Sequence, residues 1–157
     1  MKARKILLVE DNPDDAELTM LALQENGIGN DVVAARNGEE ALEYLFGHAG
    51  DDQAAHLPAL TLLDLKLPKV DGFEVLRQVR ADPRTRTTPI VVLTSSKRDQ
   101  DLVESYGYGA NAYVRKPVGF TEFSGAVRAL GLFWLIFNEP PPADDQHILP
   151  TTQQGDN

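Results

Sequence analysis

The sequence predicts an α/β fold: a doubly wound parallel sheet of five strands flanked by five helices. Short apolar segments alternate strictly with stretches of helical periodicity, which is the pattern of parallel strands joined by right-handed crossovers. Three of the segments are nearly continuously apolar, as is typical of strands that helices cover on both faces. They occupy residues 6–9, 60–63 and 90–93. A shorter strand candidate lies at 112–114, and a less apolar one, predicted to be an edge strand, lies at 32–35.

Capping signals and apolar periodicity predict the helices. The first helix begins at Asn12 and Pro13, because Asn caps a helix and Pro fits its first position. Its apolar face is predicted to contain Leu18, Leu21 and Ala22. The five predicted helices begin at residues 13, 38, 72, 99 and 120.

Length and composition predict one domain over residues 1–137 and an extended tail over 138–157. A chain of 157 residues has the length of a single domain. After Phe137, a triple proline at 140–142 and an acidic remainder without Lys or Arg indicate an extended arm. We expect no output domain there, because so few residues cannot form a core.

The charge balance argues against several functional classes. The chain contains 15 Lys and Arg against 24 Asp and Glu, a formal net charge of −9. This balance argues against nucleic acid and against a membrane surface as partners. The chain has no cysteine, which excludes thiol chemistry and thiolate metal sites. No apolar run is expected to reach the ~20 residues of a membrane span, so the sequence predicts a soluble, cytoplasmic protein.

The predicted site lies at the carboxyl ends of the strands, where open parallel sheets bind ligands. Glu10 and Asp11 follow the first strand, and Asp64 follows the third. Thr94 and Lys116 follow the fourth and fifth strands. With a strand order of 2-1-3-4-5, the first and third strands are neighbours, so the carboxylates crowd together. Crowded carboxylates repel one another unless a cation intervenes.

These residue types indicate phosphoryl chemistry with a divalent cation. Oxygen ligands suit a hard cation such as Mg²⁺, which also screens an incoming phosphoryl group from the carboxylates. A carboxylate can then attack phosphorus as a nucleophile. Lys116 offers an ammonium, and Thr94 a hydroxyl, to the phosphoryl oxygens. The set predicts a carboxylate that accepts a phosphoryl group with the help of Mg²⁺.

Five motifs in the right order resemble the receiver domain of bacterial response regulators, over about residues 4–136. The motifs are Glu10-Asp11-Asn12, the segment 62–68 around Asp64, Asp71-Gly72, the segment 92–95 around Thr94, and the segment 113–117 around Lys116. The resemblance implies a flavodoxin-like fold with the strand order 2-1-3-4-5. It also implies a role in two-component signal transduction.

The resemblance implies how the acceptor and the cation are held. Asp64 is implied to be the phosphorylated residue. The implied protein ligands of Mg²⁺ are Asp11, Asp64, the backbone carbonyl of Lys66 and, through water, Glu10. Many receivers carry a neutral residue at the position of Lys66, so the lifetime of the aspartyl phosphate stays open.

The resemblance also implies a conformational switch. Thr94 and Tyr113 are implied to be the switch pair. Lys116 is implied to be the phosphate-binding lysine, with a cis peptide bond to Pro117.

A closer resemblance is to the small single-domain response regulators that partner bacterial phytochromes. It rests on the segment 10–15, the long loop before the third strand, and the segment 133–135. It implies a sensor histidine kinase, a bacteriophytochrome, as the partner. It implies no enzyme activity beyond the acceptance and hydrolysis of the protein's own phosphoryl group.

Four alternatives differ in the residues that they require. An intermediate carrier in a multi-step phosphorelay fits the same residues and stays open. A Mg²⁺-dependent phosphatase of the haloacid dehalogenase class needs an acid two residues after its aspartyl nucleophile, where this chain has Lys66. A flavodoxin-like cofactor binder needs a loop rich in Ser, Thr and Gly where this chain has residues 12–15. A degenerate receiver is expected to lack Asp64, Asp11 or Lys116, and all are present.

The end of the last helix predicts a homodimer. A helix that packs on a sheet needs one apolar stripe, whereas residues 130–137 are apolar on all sides. One face covers the domain, and the other is expected to bind a second copy, with the tail reaching across the two-fold axis. The alternative is a helix that only folds back on its own domain. The predicted interface residues are Leu132, Phe133, Trp134, Ile136 and Phe137.

Overall fold

The structure contains the predicted parallel sheet, with the strand order β2-β1-β3-β4-β5. It is a computed structural model and describes residues 5–27, 32–47 and 57–140. The strands are β1 (Ile6–Val9), β2 (Val32–Ala35), β3 (Leu60–Leu63), β4 (Ile90–Thr94) and β5 (Ala112–Arg115). The helices are α1 (Pro13–Glu25), α2 (Gly38–Phe46), α3 (Gly72–Ala81), α4 (Asp99–Gly107) and α5 (Phe120–Leu132). The predicted fold class and strand order are confirmed.

The strands divide their side chains between two apolar cores. Successive side chains of a strand point to opposite faces. One face of the sheet packs against α2 and α3, and the other packs against α1 and α5. Every residue of β1, β3 and β4 is buried. The continuous apolar pattern of these strands therefore has the expected cause, because helices cover both of their faces.

Side-chain caps fix where three helices begin. The side chain of Asn12 accepts a hydrogen bond from the Asp15 backbone N–H at 3.0 Å, which starts α1 directly after β1. Asn37 starts α2 in the same way, and Asp71 starts α3. The cap on α1 places the first turn of that helix next to the carboxyl end of β1.

The predicted apolar face of α1 is partly wrong. Leu18 and Leu21 are exposed, whereas Thr19, Ala22 and Leu23 are buried. Thr19 can be buried because its hydroxyl donates to the Asp15 carbonyl oxygen at 2.8 Å. Thr19 is polar but faces the core, so a search for apolar residues at helical spacing does not find this position.

Helix α5 continues into a π-helical turn, Phe133–Phe137. Phe123 and Val127 of α5 are buried in the core. In the turn, Phe133, Ile136 and Phe137 are exposed, and Trp134 is half-buried. The predicted tail starts with extended backbone at Asn138, and residues 141–157 lie outside the described residues.

The last helical segment reaches the length and composition of a membrane span. By length and composition alone, Phe120–Phe137 could cross a membrane. A helix on the core of a soluble protein meets the same criterion, and this segment packs against α1 and the sheet. The segment is therefore weak evidence for a membrane span.

The expected cis bond before Pro117 is wrong for this structure. The described residues contain no cis peptide bond. The trans form is intrinsically favoured for a bond to proline by roughly 0.5–1 kcal/mol.

Gly72 allows the start of α3 to lie flush against the loop after β3. A Cβ atom at Gly72 would lie 2.5 Å from the carbonyl oxygen of Asp64 and 2.7 Å from Cα of Leu65. These atoms belong to the backbone, so the loop that carries Asp64 would have to move.

We expect Gly72→Ala to lower the free energy of unfolding by about 1–3 kcal/mol, as overpacked sites do. Gly125→Ala is the matched control, because Gly125 lies in α5 and a Cβ atom added there would have no neighbour within 4 Å. There, Ala should raise the free energy of unfolding by about 0.5–1 kcal/mol. Urea titration of both variants measures these changes, and equal effects would contradict the close packing at Gly72.

Candidate phosphoacceptor site

Backbone pairing brings the ends of the strands to one level. Val9 pairs with Leu63 in the register of β1 and β3, so the residues after them emerge side by side. The Asp64 backbone N–H continues this ladder by donating to the Val9 carbonyl oxygen at 3.1 Å. At the edge formed by β4 and β5, the Lys116 backbone N–H donates to the Thr94 carbonyl oxygen at 2.8 Å. The parallel sheet thus gathers residues from four strands.

Three carboxylates lie close enough to share one cation. Glu10, Asp11 and Asp64 each offer a carboxylate oxygen, and these oxygens lie within 4.8 Å of one another. Glu10 and Asp64 are buried, whereas Asp11 is exposed. Hard divalent cations prefer such oxygen ligands, and an open side leaves room for water or a phosphoryl oxygen. The donor set fits a divalent metal ion.

The Lys116 ammonium lies among three carboxylates. Its Nζ atom is 2.6 Å from Glu10 Oε1, 2.8 Å from Asp15 Oδ2 and 3.3 Å from Asp64 Oδ2. The Lys116 side chain is 8% exposed. Burial alone would lower the pKa of Lys116, but the hydrogen bonds to Asp15 and Glu10 and the charge of Asp64 raise it above its usual value. The carboxylates around Lys116 therefore favour its charged form.

Burial raises the pKa of Glu10, whereas it lowers that of Lys116. It is the largest cause that raises the pKa of Glu10 from 4.5 to about 7. The charge of Asp64 also raises the pKa, and the hydrogen bond from Lys116 lowers it only partly. The cost of ionising Glu10 is a physical reason for the site to attract a further cation.

The two oxygens of Asp64 have different partners. Oδ1 accepts from the Thr94 hydroxyl at 3.0 Å and, more weakly, from the Lys66 backbone N–H at 3.4 Å. Oδ2 faces Lys116. Asp64 is therefore held on both sides, and its carboxylate lies between a hydroxyl and an ammonium.

Tyr113 lies on β5, the strand that pairs with β4. It pairs with Val92 in the strand register, and its ring packs against the apolar core. Its hydroxyl is buried and has no hydrogen-bond partner within the described residues. The Arg115 guanidinium lies 6.0 Å from the ring centroid. The side chain of Tyr113 therefore points into the protein and not to solvent.

Three further polar residues at the site were not predicted from the sequence. Asp15 contacts Lys116 from the first turn of α1. Ser96 donates from its backbone N–H to the Thr94 hydroxyl at 3.3 Å and from its own hydroxyl to Asp101 Oδ2 at 2.6 Å. Asp101 is buried in the first turn of α4. The acidic run at 10–15 could have indicated that Asp15 belongs to the site. No sequence motif with a fixed spacing indicates the contact between Ser96 and Asp101.

The family model described as response regulator receiver domain matches residues 6–128. Among curated proteins, the probable methanogenesis regulatory protein FilR2 of Methanothrix harundinacea is 43% identical over 136 residues, which cover 87% of this chain and 86% of the relative. Response regulator Rcp1 of Synechocystis is 35% identical, over 83% of this chain and 88% of the relative.

Solved structures give the same result. The bacteriophytochrome response regulator AtBRR is 52% identical, with a TM-score of 0.68, over 88% of this chain and 100% of that chain. A phosphorylated cyanobacterial phytochrome response regulator, RcpA, is 37% identical, with a TM-score of 0.79, over 88% of this chain and 99% of that chain.

Proposed function

Because the chain belongs to the response regulator receiver domain family, we propose that Asp64 accepts a phosphoryl group from a sensor histidine kinase. The observation that carries the proposal is the position of Asp64, with Thr94 on one oxygen, Lys116 on the other, and two further carboxylates within 4.8 Å. An oxygen of the ionised Asp64 attacks phosphorus, the bond from phosphorus to the donor breaks, and its electron pair leaves with the donor. The protein acts only on its own phosphoryl group, which water later removes as inorganic phosphate.

We assign the cation to Mg²⁺, held by Asp11, Asp64 and the backbone carbonyl of Lys66, with Glu10 acting through water. When bound, Mg²⁺ supplies positive charge that offsets the repulsion between the carboxylates and the phosphoryl oxygens. Lys116 supplies a second positive charge, and Thr94 supplies a hydrogen-bond donor. The side chain of Lys66 is exposed, and only its backbone carbonyl is assigned to the cation.

Acetyl phosphate with Mg²⁺ should add one base-labile phosphoryl group per molecule, detected by intact mass. Asp64→Asn should abolish it, because an amide is a poor nucleophile, and chelation of Mg²⁺ should slow it strongly. Asp71→Asn is the matched control, since Asp71 is exposed and caps α3 outside the carboxylate cluster. Labelling of Asp64→Asn at the rate of the unmodified protein would contradict the assignment.

We propose that the kinase partner is a phytochrome and that the protein works in the cytoplasm. Relatives at 52% and 37% identity are phytochrome response regulators, and the chain covers nearly all of their length. The net charge of −9 disfavours nucleic acid as a partner. We propose that the signal is passed on by contact with another protein. Radiolabelled phosphoryl transfer from a purified phytochrome kinase tests this partner, and transfer only from unrelated kinases would contradict it.

We propose that Thr94 and Tyr113 form the switch and that Ser96 carries the change to α4. A phosphoryl group on Asp64 would draw the Thr94 hydroxyl toward its oxygens. The Ser96 N–H donates to that hydroxyl, and the Ser96 side chain holds Asp101 in the first turn of α4. Movement of Thr94 thus changes a buried contact of α4. Tyr113 then moves after Thr94, because Tyr113 lies on β5 and β5 pairs with β4.

Thr94→Ala should still accept a phosphoryl group, but hydrogen exchange at α4 and β5 should change less on phosphorylation than in the unmodified protein. Thr87→Ala is a control, since Thr87 is an exposed threonine outside the site. Identical exchange changes in phosphorylated Thr94→Ala and the unmodified protein would rule out the coupling.

We propose a homodimer through the π-helical turn after α5. Phe133, Ile136 and Phe137 are 49%, 62% and 72% exposed. Leu132 and Trp134 are half-buried beside them and join the same surface. The Phe133 and Trp134 rings already contact each other edge to face at 5.0 Å, so the surface is partly organised. A second copy of the same surface would cover it reciprocally.

Light scattering at tens of micromolar should give twice the monomer mass of 17.3 kDa. Phe133→Asp combined with Phe137→Asp should give the monomer mass, because charges at an apolar contact are costly to bury. Val103→Asp combined with Val118→Asp should stay dimeric, since these exposed residues do not belong to the proposed interface. A monomeric unmodified protein, or a dimeric Phe133/Phe137 variant, would contradict the proposal.

A further inference from the structure

Asp15 does not belong to the carboxylate cluster that fits a cation, but its side chain forms an ion pair with Lys116. The cluster consists of Glu10, Asp11 and Asp64. The only described partner of the Asp15 side chain is Lys116 Nζ, at 2.8 Å. The cap on α1 fixes Asp15 in the first helical turn, because its backbone N–H donates to Asn12. The contact with Lys116 is therefore built into the rigid start of a helix.

The distances around Lys116 indicate competition for its protons. An ammonium has three N–H donors. The contacts with Glu10 and Asp15, at 2.6 and 2.8 Å, are short, whereas the contact with Asp64 is 3.3 Å. Charge-assisted N–H···O hydrogen bonds are typically about 2.7–2.9 Å long. In this state, Lys116 is held more closely by its neighbours than by the acceptor.

A phosphoryl group on Asp64 adds oxygens that need the same donors. Glu10 can turn to the cation site, of which it is a part. Asp15 does not belong to that site, so Lys116 remains the described partner of its negative charge. Any hydrogen bond from Lys116 to a phosphoryl oxygen is therefore made against the pull of Asp15.

We propose that Asp15 is a positioning residue that holds Lys116 back from Asp64 and thereby lowers the rate of phosphoryl acceptance. The inference rests on the proposed function, in which Asp64 is the acceptor and Lys116 binds the phosphoryl group. It goes beyond that function by adding a residue of α1 that regulates the same site.

Asp14 offers a control for charge and for helix stability. It is adjacent to Asp15 in the first turn of α1 and is exposed, and no hydrogen bond or ion pair of its side chain lies within the described residues. Asp14→Asn and Asp15→Asn remove the same charge from the same helix terminus. Both should lose similar helix-dipole stabilisation, so a difference between them reports the contact with Lys116.

The experiment measures initial rates of labelling by acetyl phosphate at saturating Mg²⁺ in the full chain. Asp15→Asn should be labelled about three to five times faster than the unmodified protein, a size typical of a partly exposed ion pair. Asp14→Asn should differ by less than half of that effect. The Mg²⁺ concentration for half-maximal rate should be equal in both variants, because neither residue belongs to the cation site.

If Asp14→Asn and Asp15→Asn accelerate labelling equally, the cause is the loss of one negative charge near the site and not the contact with Lys116. That result would overturn the inference. Slower labelling of Asp15→Asn would overturn it too, because Asp15 would then support Lys116 rather than compete for it. In a Lys116→Ala background, Asp15→Asn should have no further effect on the rate, and a persisting acceleration would overturn the proposed route through Lys116. If the unmodified protein is not labelled at all, the proposed function fails, which is a distinct outcome.

Discussion

The ion cluster around Lys116 ties the loop after β5 to the ends of β1 and β3 and to the first turn of α1. Lys116 follows β5, whereas Glu10 and Asp64 follow β1 and β3. Their charges are buried, and a buried charge is tolerated only when it is paired. Removing the lysine would leave carboxylates facing one another, and removing the carboxylates would leave an unpaired ammonium. The stability of the sheet edge and the chemistry of the site therefore depend on the same charges.

The carboxylate of Asp64, the proposed acceptor, is connected to two helices by separate chains of contacts. Oδ1 leads through Thr94 and Ser96 to Asp101 of α4. Oδ2 leads through Lys116 to Asp15 of α1. The first route links Asp64 to the helix that follows β4, and the second links it to the helix that follows β1. Because the routes start on different oxygens, substitutions can change one and leave the contacts of the other in place.

Much of the fold and the gathering of the site residues could be predicted from the sequence. Parallel strands between helices are apolar throughout, and their ends meet at one edge, so the positions of Glu10, Asp64 and Lys116 followed from order alone. The face of α1 could not be predicted, because buried Thr19 satisfies its hydroxyl within the helix. The contact of Ser96 with Asp101 depends on how the backbone turns after β4, which residue spacing does not encode.

The distance in sequence between the members of the ion cluster matters during synthesis of the chain. Glu10 and Lys116 lie 106 residues apart, and Asp64 lies between them. The ribosome therefore delivers the carboxylates well before the ammonium that neutralises them. Contacts of such large sequence separation form late, because the closure of long loops costs entropy. A nascent or prematurely terminated chain that lacks β5 also lacks Lys116, so the carboxylates after β1 and β3 have no ammonium to neutralise them until the chain is translated past that residue.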